Sequence, residues 1–197
     1  MNYDVEMNNI IKSLKYKPKL LLHSCCAPCS TTCIERLKDY FDITIIYYNP
    51  NIEPISEYEK RKQEQIKIIK LYNIKYVDCD YDNDLFRNMA NGLENIPERG
   101  IRCHKCYRLR LDYVANFAKN NGYDYFCTTL TVSPYKLSNV INEIGFDLEK
   151  KYNIKYLCSD FKKQNGYKKS IELSNKYGLY RQNYCGCIYS RKGEDNE

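Results

Sequence analysis

Closely spaced cysteines are the feature of this sequence most able to do chemistry. Three pairs occur: Cys26-x-x-Cys29, Cys103-x-x-Cys106 and Cys185-x-Cys187, with Cys25 directly before the first. Adjacent cysteines rarely bond to each other, because a disulfide needs Cα atoms about 4.4–6.8 Å apart and converging Cβ atoms. Two distant C-x-x-C units can instead converge on one metal, since thiolates are soft ligands that suit zinc or an iron–sulfur cluster. The pattern predicts a metal site.

The spacing alone does not choose between zinc and an iron–sulfur cluster. Zinc ribbons commonly use C-x-x-C pairs, whereas Cys25 and the Cys185-x-Cys187 pair supply more sulfur than one closed zinc site consumes. The C-x-C pair also has two interpretations. It is either a strained, reducible disulfide suited to a redox relay or a source of two further metal ligands.

The other cysteines and the two histidines are predicted to have structural roles. Four cysteines fall on predicted core positions: Cys33, Cys79, Cys127 and Cys158. His23 ends a predicted strand, so we expect a hydrogen-bonded structural histidine. His104 lies inside the second C-x-x-C, where long polar residues are common, and we do not assign it as a ligand. A cysteine–histidine nucleophile is therefore weakly supported.

Length and composition predict a globular α/β protein, and the positive charge permits a polyanionic partner. The 197 residues suit a single domain, 1–197, in which 188–197 is expected to be a flexible tail. The net charge of +6 permits nucleic-acid binding. Cations for phosphates and aromatic rings for unpaired bases fit RNA recognition. Such residues lie near the thiols: Arg99, Arg102, Lys105, Arg108, Arg110, Lys162, Lys163, Lys168, Lys169, Arg181, Tyr167, Tyr180 and Tyr184.

The cysteine usage also predicts the compartment. The start of the sequence is acidic and amphipathic, unlike a secretory leader, and the cysteine count of eleven is odd. Clustered cysteines then fit a reduced, cytoplasmic setting better than a disulfide framework. No apolar run approaches 18 residues, so we expect no membrane partner.

Alternating strand and helix patterns must position these residues. Strands are predicted at 19–23, 43–48, 75–79, 125–129 and 155–158, and helices at 4–15, 30–40, 56–72, 82–91, 103–121, 137–150 and 167–177. The second helix is expected to begin at Ser30 or Thr31, and a capping box at Ser56-x-x-Glu59 to open the third. This order predicts a mostly parallel sheet with helices on both faces. Ligands bind such sheets beyond the carboxyl ends of the strands, where Cys25 and Cys26 would lie.

The motifs taken together resemble the cobalamin-independent epoxyqueuosine reductases, the QueH family. They are His23-x-Cys25-Cys26-Ala27-Pro28-Cys29, Tyr48-Asn49-Pro50-Asn51-Ile52, Glu57-Tyr58-x-x-Arg61, Arg102-Cys103-x-x-Cys106, Thr128-Thr129-Leu130 with Ser133-Pro134, and Tyr180-Arg181-Gln182-x-Tyr184-Cys185-Gly186-Cys187. The resemblance implies an oxidoreductase that reduces epoxyqueuosine to queuosine at the wobble position of tRNA. It also implies a Rossmann-like sheet related to the adenine nucleotide alpha hydrolase group.

The resemblance further implies the roles of individual residues. A 4Fe-4S cluster would be held by Cys25, Cys26, Cys103 and Cys106, and Cys185 with Cys187 would form the redox-active pair. Some members of the family carry an acidic residue at the position of Cys29. A second, mononuclear iron bound partly by Cys29 is therefore an added expectation. The implied partners are the tRNA anticodon stem-loop carrying epoxyqueuosine and an unidentified electron donor.

The leaving oxygen of an epoxide needs a proton donor or a Lewis acid. Tyr184, Asp160 and Glu57 are unranked candidates for the donor. Two competing functions stay open beside epoxide reduction. One is a zinc-stabilised RNA-binding protein without catalysis. The other is tRNA sulfur transfer, which would normally need an ATP-binding Ser-Gly-Gly loop that this sequence lacks.

Overall fold

The computed structural model describes residues 1–190. Helices and strands alternate along this part of the chain, as the sequence pattern predicts. The helices are α1 (Tyr3–Ser13), α2 (Ala27–Leu37), α3 (Ile55–Tyr72), α4 (Asn83–Ala90), α5 (Ile101–Asn120), α6 (Ser138–Tyr152) and α7 (Gly166–Lys176). The strands are β1 (Lys19–His23), β2 (Asp42–Ile46), β3 (Lys75–Val77), β4 (Tyr125–Thr128) and β5 (Lys155–Tyr156). Short 3₁₀ turns follow at Thr129–Val132 and Ile188–Ser190.

The strands form a parallel sheet in the order β3-β2-β1-β4-β5. Leu22 of β1 lies opposite Ile45 of β2 on one side and Cys127 of β4 on the other. The chain builds outward from β1 to β3, then returns and adds β4 on the other side of β1. The strand order therefore reverses between β1 and β4, and their carboxyl ends flank the place where α/β sheets bind ligands.

Successive side chains along a strand point to opposite faces of the sheet. The apolar strands therefore present side chains on both faces, and helices cover both. Leu20 and Leu22 pack in one core with Ile34 and Leu37 of α2. The opposite core is centred on Leu21 and contains the following side chains of β4, α5 and α6: Phe126, Leu111, Val114, Ile141 and Leu148. The predicted core cysteines are buried as expected: Cys33, Cys79, Cys127 and Cys158.

The starts of helices α2 and α3 differ from the capping signals in the sequence. Helix α2 begins at Ala27, not at Ser30, because Cys26 is already extended (φ −171°) and Pro28 fits the first turn, where no backbone N–H is needed. Helix α3 begins at Ile55 after Pro54, and its N-cap has no side-chain hydrogen bond. The predicted Ser56–Glu59 capping box is therefore wrong.

The chain beyond α7 runs across the carboxyl edge of the sheet. Residues 179–187 have neither helix nor strand, as predicted, and Ser190 in the following 3₁₀ turn is buried. The predicted tail, 188–197, lies mostly outside the described residues, which end at 190. Among the helices of the described part, none is long and apolar enough to cross a membrane.

Candidate metal and redox site

Three thiols meet where β1 gives way to α2. The Sγ atoms of Cys25, Cys26 and Cys29 all lie within 4.8 Å of one another. Cys26 is 1 % exposed and Cys25 9 %, while Cys29 is partly exposed. Because Cys26 caps the helix, Cys29 falls one turn along α2 and returns to the same side as the strand end. This geometry fits a soft metal or metal cluster, which takes several thiolate ligands in one small volume.

The end of β4 fixes this thiol group in place. The backbone N–H of Cys25 donates to Thr129 Oγ1 (3.1 Å), and the Thr129 hydroxyl lies 3.3 Å from Cys25 Sγ. Cys25 follows β1 and Thr129 follows β4, so the two residues meet across the point where strand order reverses. The sequence prediction that Cys25 and Cys26 lie at this edge of the sheet is confirmed.

Neighbouring groups make Cys25 the most acidic of the three thiols. Hydrogen bonding with Cys26 and Cys29 lowers the pKa of Cys25 well below its usual value, against the effect of burial, and Lys136 and Arg110 lower it further. The same sharing raises the pKa of Cys26 to about 11. Metal binding needs deprotonated thiols, so a thiolate stabilised by two cations is suited to start it.

Arg110 is buried, whereas Lys136 is partly exposed and lines the cavity described below. Arg110 is 2 % exposed, and its Nη2 donates to Asn49 Oδ1, whose own side-chain amide donates to the Ser24 carbonyl (2.9 Å). Burial alone would lower the pKa of Lys136, but the Cys185 and Cys25 thiols outweigh it and raise that pKa. The sequence reasoning missed Lys136. A signal for it was available, because Lys136 comes just after the Ser133-Pro134 turn. That turn follows β4, which flanks the point where strand order reverses.

A cavity of about 760 Å³ opens beside these thiols. Five of the seven cysteines assigned to the site line it: Cys25, Cys26, Cys29, Cys103 and Cys185. Cys103 lies in the first turn of α5, so the start of this helix borders the cavity. Cys106 and Cys187 lie together in a small buried cluster with Phe86 and Ala90. The structure thus brings the three sequence pairs to one region.

His23 has the structural role that the sequence predicts. Its Nε2 faces the Tyr48 carbonyl (3.0 Å) and must donate to it, so Nδ1 accepts from the Thr128 hydroxyl (2.9 Å). Burial, together with Arg110, lowers the pKa of His23 to about 3, which keeps the ring neutral. His23 therefore ties the end of β1 to its two neighbouring strands.

The charged residues near the site divide into structural and exposed groups. Arg102 is buried and donates to the carbonyls of Leu93 and Glu94, so it braces the loop before α5. Arg102 and Arg110 are therefore not surface cations for RNA. Among the candidate proton donors, Glu57 and Tyr184 line the cavity, whereas Asp160 pairs with Lys162 (2.7 Å).

A parallel α/β sheet with a thiol centre at its switch point defines a Rossmann-like protein with a metal- or redox-type site. A family model described as epoxyqueuosine reductase QueH matches residues 20–193. Epoxyqueuosine reductase QueH of Staphylococcus epidermidis is 45% identical over 201 residues, covering 96% of this chain and 84% of the relative. That of Streptococcus pyogenes is 42% identical over 201 residues, covering 98% and 79%. The chain belongs to the epoxyqueuosine reductase QueH family and is an oxidoreductase.

A solved structure supports the fold independently. The U34-tRNA thiolase NcsA from Methanococcus maripaludis with its [4Fe-4S] cluster superposes with a TM-score of 0.55 at 15% identity, covering 95% of this chain and 68% of that one. At this identity the likeness concerns the fold alone. The predicted Rossmann-like fold, a parallel sheet with helices on both faces, is confirmed.

Proposed function

We propose that this protein reduces epoxyqueuosine to queuosine at the wobble position of a tRNA anticodon. Membership of the family supports the reaction, and the observation that carries the site is the meeting of five cysteines around one cavity. About 760 Å³ is on the scale of a small-molecule site. An unstacked nucleotide of the anticodon loop could enter it, as enzymes that modify bases require. A cytoplasmic location follows from this substrate.

The residues present fit an iron–sulfur cluster. Cys25, Cys26, Cys103 and Cys106 are the proposed ligands. Soft thiolates are the donors such clusters use. The nearby cations, the buried Arg110 and the partly exposed Lys136, oppose the negative charge that the thiolates would carry. When bound, the cluster would supply electrons one at a time.

Cys29 is the proposed ligand of a second iron. Its support is that Cys29 lies within 4.8 Å of the Cys25 and Cys26 sulfurs and is partly exposed at the cavity. The same proximity would also let Cys29 serve the cluster itself. Iron counting on Cys29→Ser separates these roles: loss of about one iron per chain fits the second site, and loss of about four fits a cluster ligand.

The Cys185 and Cys187 thiols are the proposed electron store. Removing the epoxide oxygen as water consumes two electrons and two protons and leaves an alkene. Two thiols that form a disulfide release two electrons and two protons. An external low-potential electron donor must then reduce the pair again. Glu57 and Tyr184 are the proposed proton donors to the leaving oxygen, and the support is that both line the cavity.

The deciding experiment is nucleoside mass analysis of epoxyqueuosine-containing tRNA after incubation with reconstituted protein and a low-potential reductant. We expect queuosine to appear, and the anaerobically purified protein to be brown with broad near-visible absorption. A colourless protein that contains zinc and leaves epoxyqueuosine unchanged would contradict the proposal and favour a zinc-stabilised RNA-binding protein.

A further inference from the structure

The segment that carries Cys185 has no regular structure to hold it. Residues 179–187 form neither helix nor strand, yet Cys185 lines the cavity at one defined place. Its position must therefore come from contacts with other elements, and one of these is a hydrogen bond from the Glu53 backbone N–H to the Gly186 carbonyl (2.8 Å). Most of the observed contacts come from the first turns of α3 and the loop before that helix.

Arg61 of α3 makes the central contact. Its side chain is 2 % exposed, and its Nε donates to Glu57 Oε1 at 2.6 Å. Nη1 donates to the Cys185 carbonyl (3.2 Å) and Nη2 to the Tyr184 carbonyl (3.4 Å). A buried guanidinium must satisfy its N–H groups, and here the C-terminal segment accepts two of them. Arg61 thus joins α3 to the residue that carries the thiol, 124 positions away.

The backbone of the segment is shaped to this guanidinium. The Arg61 guanidinium lies over the Tyr184 ring, 4.8 Å from its centroid. Gly186 has φ +117°, and a Cβ added there would lie 2.9 Å from both Arg61 Nη1 and Ile52 Cγ1. A side chain at this position would therefore be strained and would push against Arg61. The glycine between the two cysteines lets the chain approach Arg61 this closely.

We propose that Arg61 is a positioning residue for the Cys185–Cys187 pair, which it holds through the backbone on either side of Cys185. This inference rests on the proposed function. Arg61 is not among the described residues that line the cavity, so it acts through the pair and not on the substrate. The planar guanidinium bonds Glu57 and two carbonyls at once, which a lysine ammonium cannot match in geometry.

The test compares Arg61→Lys with Arg36→Lys in the anaerobic, iron-loaded protein. Arg36 is a matched control because it also pairs with a carboxylate, Asp4 (2.9 Å), and lies over a ring, Phe161 (5.6 Å). Two quantities are measured: the rate at which iodoacetamide alkylates Cys185, and the multiple-turnover rate of epoxyqueuosine reduction. We expect Arg61→Lys to raise the alkylation rate of Cys185 about tenfold and to lower the turnover rate about tenfold. This is the scale of one lost charge-assisted hydrogen bond. Iron content should stay at the wild-type value, and Arg36→Lys should change neither rate.

A double-variant cycle separates positioning from general support of the fold. In a Cys185→Ser background the pair is absent, so Arg61→Lys should lower turnover no further. If Arg61→Lys lowered turnover equally in both backgrounds, or if it lost bound iron, the inference would be overturned. Absence of queuosine formation by wild-type protein would refute the proposed function, and the alkylation rate would still test Arg61. If Arg61→Lys does not fold, Gly186→Ala should raise Cys185 alkylation similarly, and an unchanged rate would overturn the inference.

Discussion

Two walls of one cavity hold cysteines by different means. The strand-end wall comprises Cys25, Cys26 and Cys29, placed by the end of β1 and the first turn of α2 and tied to β4 through Thr129. The C-terminal wall is the segment 179–187, which carries Cys185 and lacks helix or strand. Backbone hydrogen bonds of the sheet fix the first wall. The second is held mainly by side-chain contacts to α3, with one backbone hydrogen bond from Glu53 N–H to the Gly186 carbonyl (2.8 Å).

This difference matches the two kinds of chemistry proposed for the walls. Ligands of a metal cluster must stay in one arrangement, so they are best carried by the most cooperative part of a fold. A dithiol that becomes a disulfide and is reduced again must change its geometry in each cycle. A segment held by a few side-chain bonds opens at lower free energy than a sheet does. We therefore expect substitutions in the two walls to have separable effects.

The largest effect should come from Cys25→Ser in the strand-end wall. A serine hydroxyl is a poor ligand for iron at neutral pH, and Cys25 has the most stabilised thiolate of the group. Bound iron should fall to a small fraction of the wild-type amount, and reduction by on the order of 100-fold. Iron analysis and nucleoside mass spectrometry measure both. The control is Cys33→Ala, which changes a fully buried core cysteine on α2 and should keep its iron. Full iron in Cys25→Ser would refute the ligand assignment.

The next effect should come from Cys185→Ser and Cys187→Ser in the C-terminal wall. Both variants should keep their iron and visible absorption, because the proposed ligands are elsewhere. With a dithiol-dependent reductant, multiple-turnover reduction should fall at least about tenfold, since no electron pair can be stored. Cys158→Ala, which removes a buried thiol at the end of β5, is the control and should keep its activity. Wild-type turnover in either serine variant would exclude the redox relay.

The strand-end wall could be predicted from the sequence, since it depends on local patterns. A short apolar run followed by Cys25 and Cys26 gives a buried strand ending in thiols, and the strand–helix alternation gives the edge where they lie. The capping signal predicts a start of α2 at Ser30, three residues too late, because Ser30 is a better capping residue in isolation than Cys26. Pro28 was the competing signal, since proline favours the first helical turn.

The contacts of the C-terminal wall could not be predicted in the same way. Arg61 belongs to the Glu57-Tyr58-x-x-Arg61 motif, which is recognisable in the sequence. Its carbonyl partners, however, lie more than 120 residues away. Arg102 and Arg110 looked like surface cations because their neighbours in sequence are charged, yet both are buried by tertiary contacts. Burial of a charged side chain depends on what packs against it, which a pattern of residue types does not contain.

A smaller effect, on stability, should come from Thr128→Val behind the strand-end wall. The buried Thr128 hydroxyl donates to His23 Nδ1 (2.9 Å), and its oxygen accepts from the Leu130 N–H (3.1 Å). Valine has a similar shape but leaves both groups unpaired, so the free energy of unfolding should fall by about 2 kcal/mol. Urea denaturation measures this loss. Thr32→Val is the control because the buried Thr32 hydroxyl has no hydrogen-bond partner within residues 1–190, so that variant should be neutral or more stable.

The smallest effect should come from Tyr184→Phe, which tests whether the two walls are independent. The Tyr184 hydroxyl donates to the Glu53 carbonyl (2.9 Å), while its ring lies under Arg61 and is retained in phenylalanine. Losing one neutral hydrogen bond costs about 0.5–1.5 kcal/mol, so Cys185 alkylation should rise by about twofold to twelvefold. Tyr152→Phe, whose hydroxyl donates to Asp112 (2.9 Å) instead, should not change it. Bound iron should stay constant in both variants, because the strand-end wall does not depend on this contact. A fall in iron that accompanies faster alkylation would mean that the cavity opens as one unit, and the division into a fixed and an adjustable wall would be wrong.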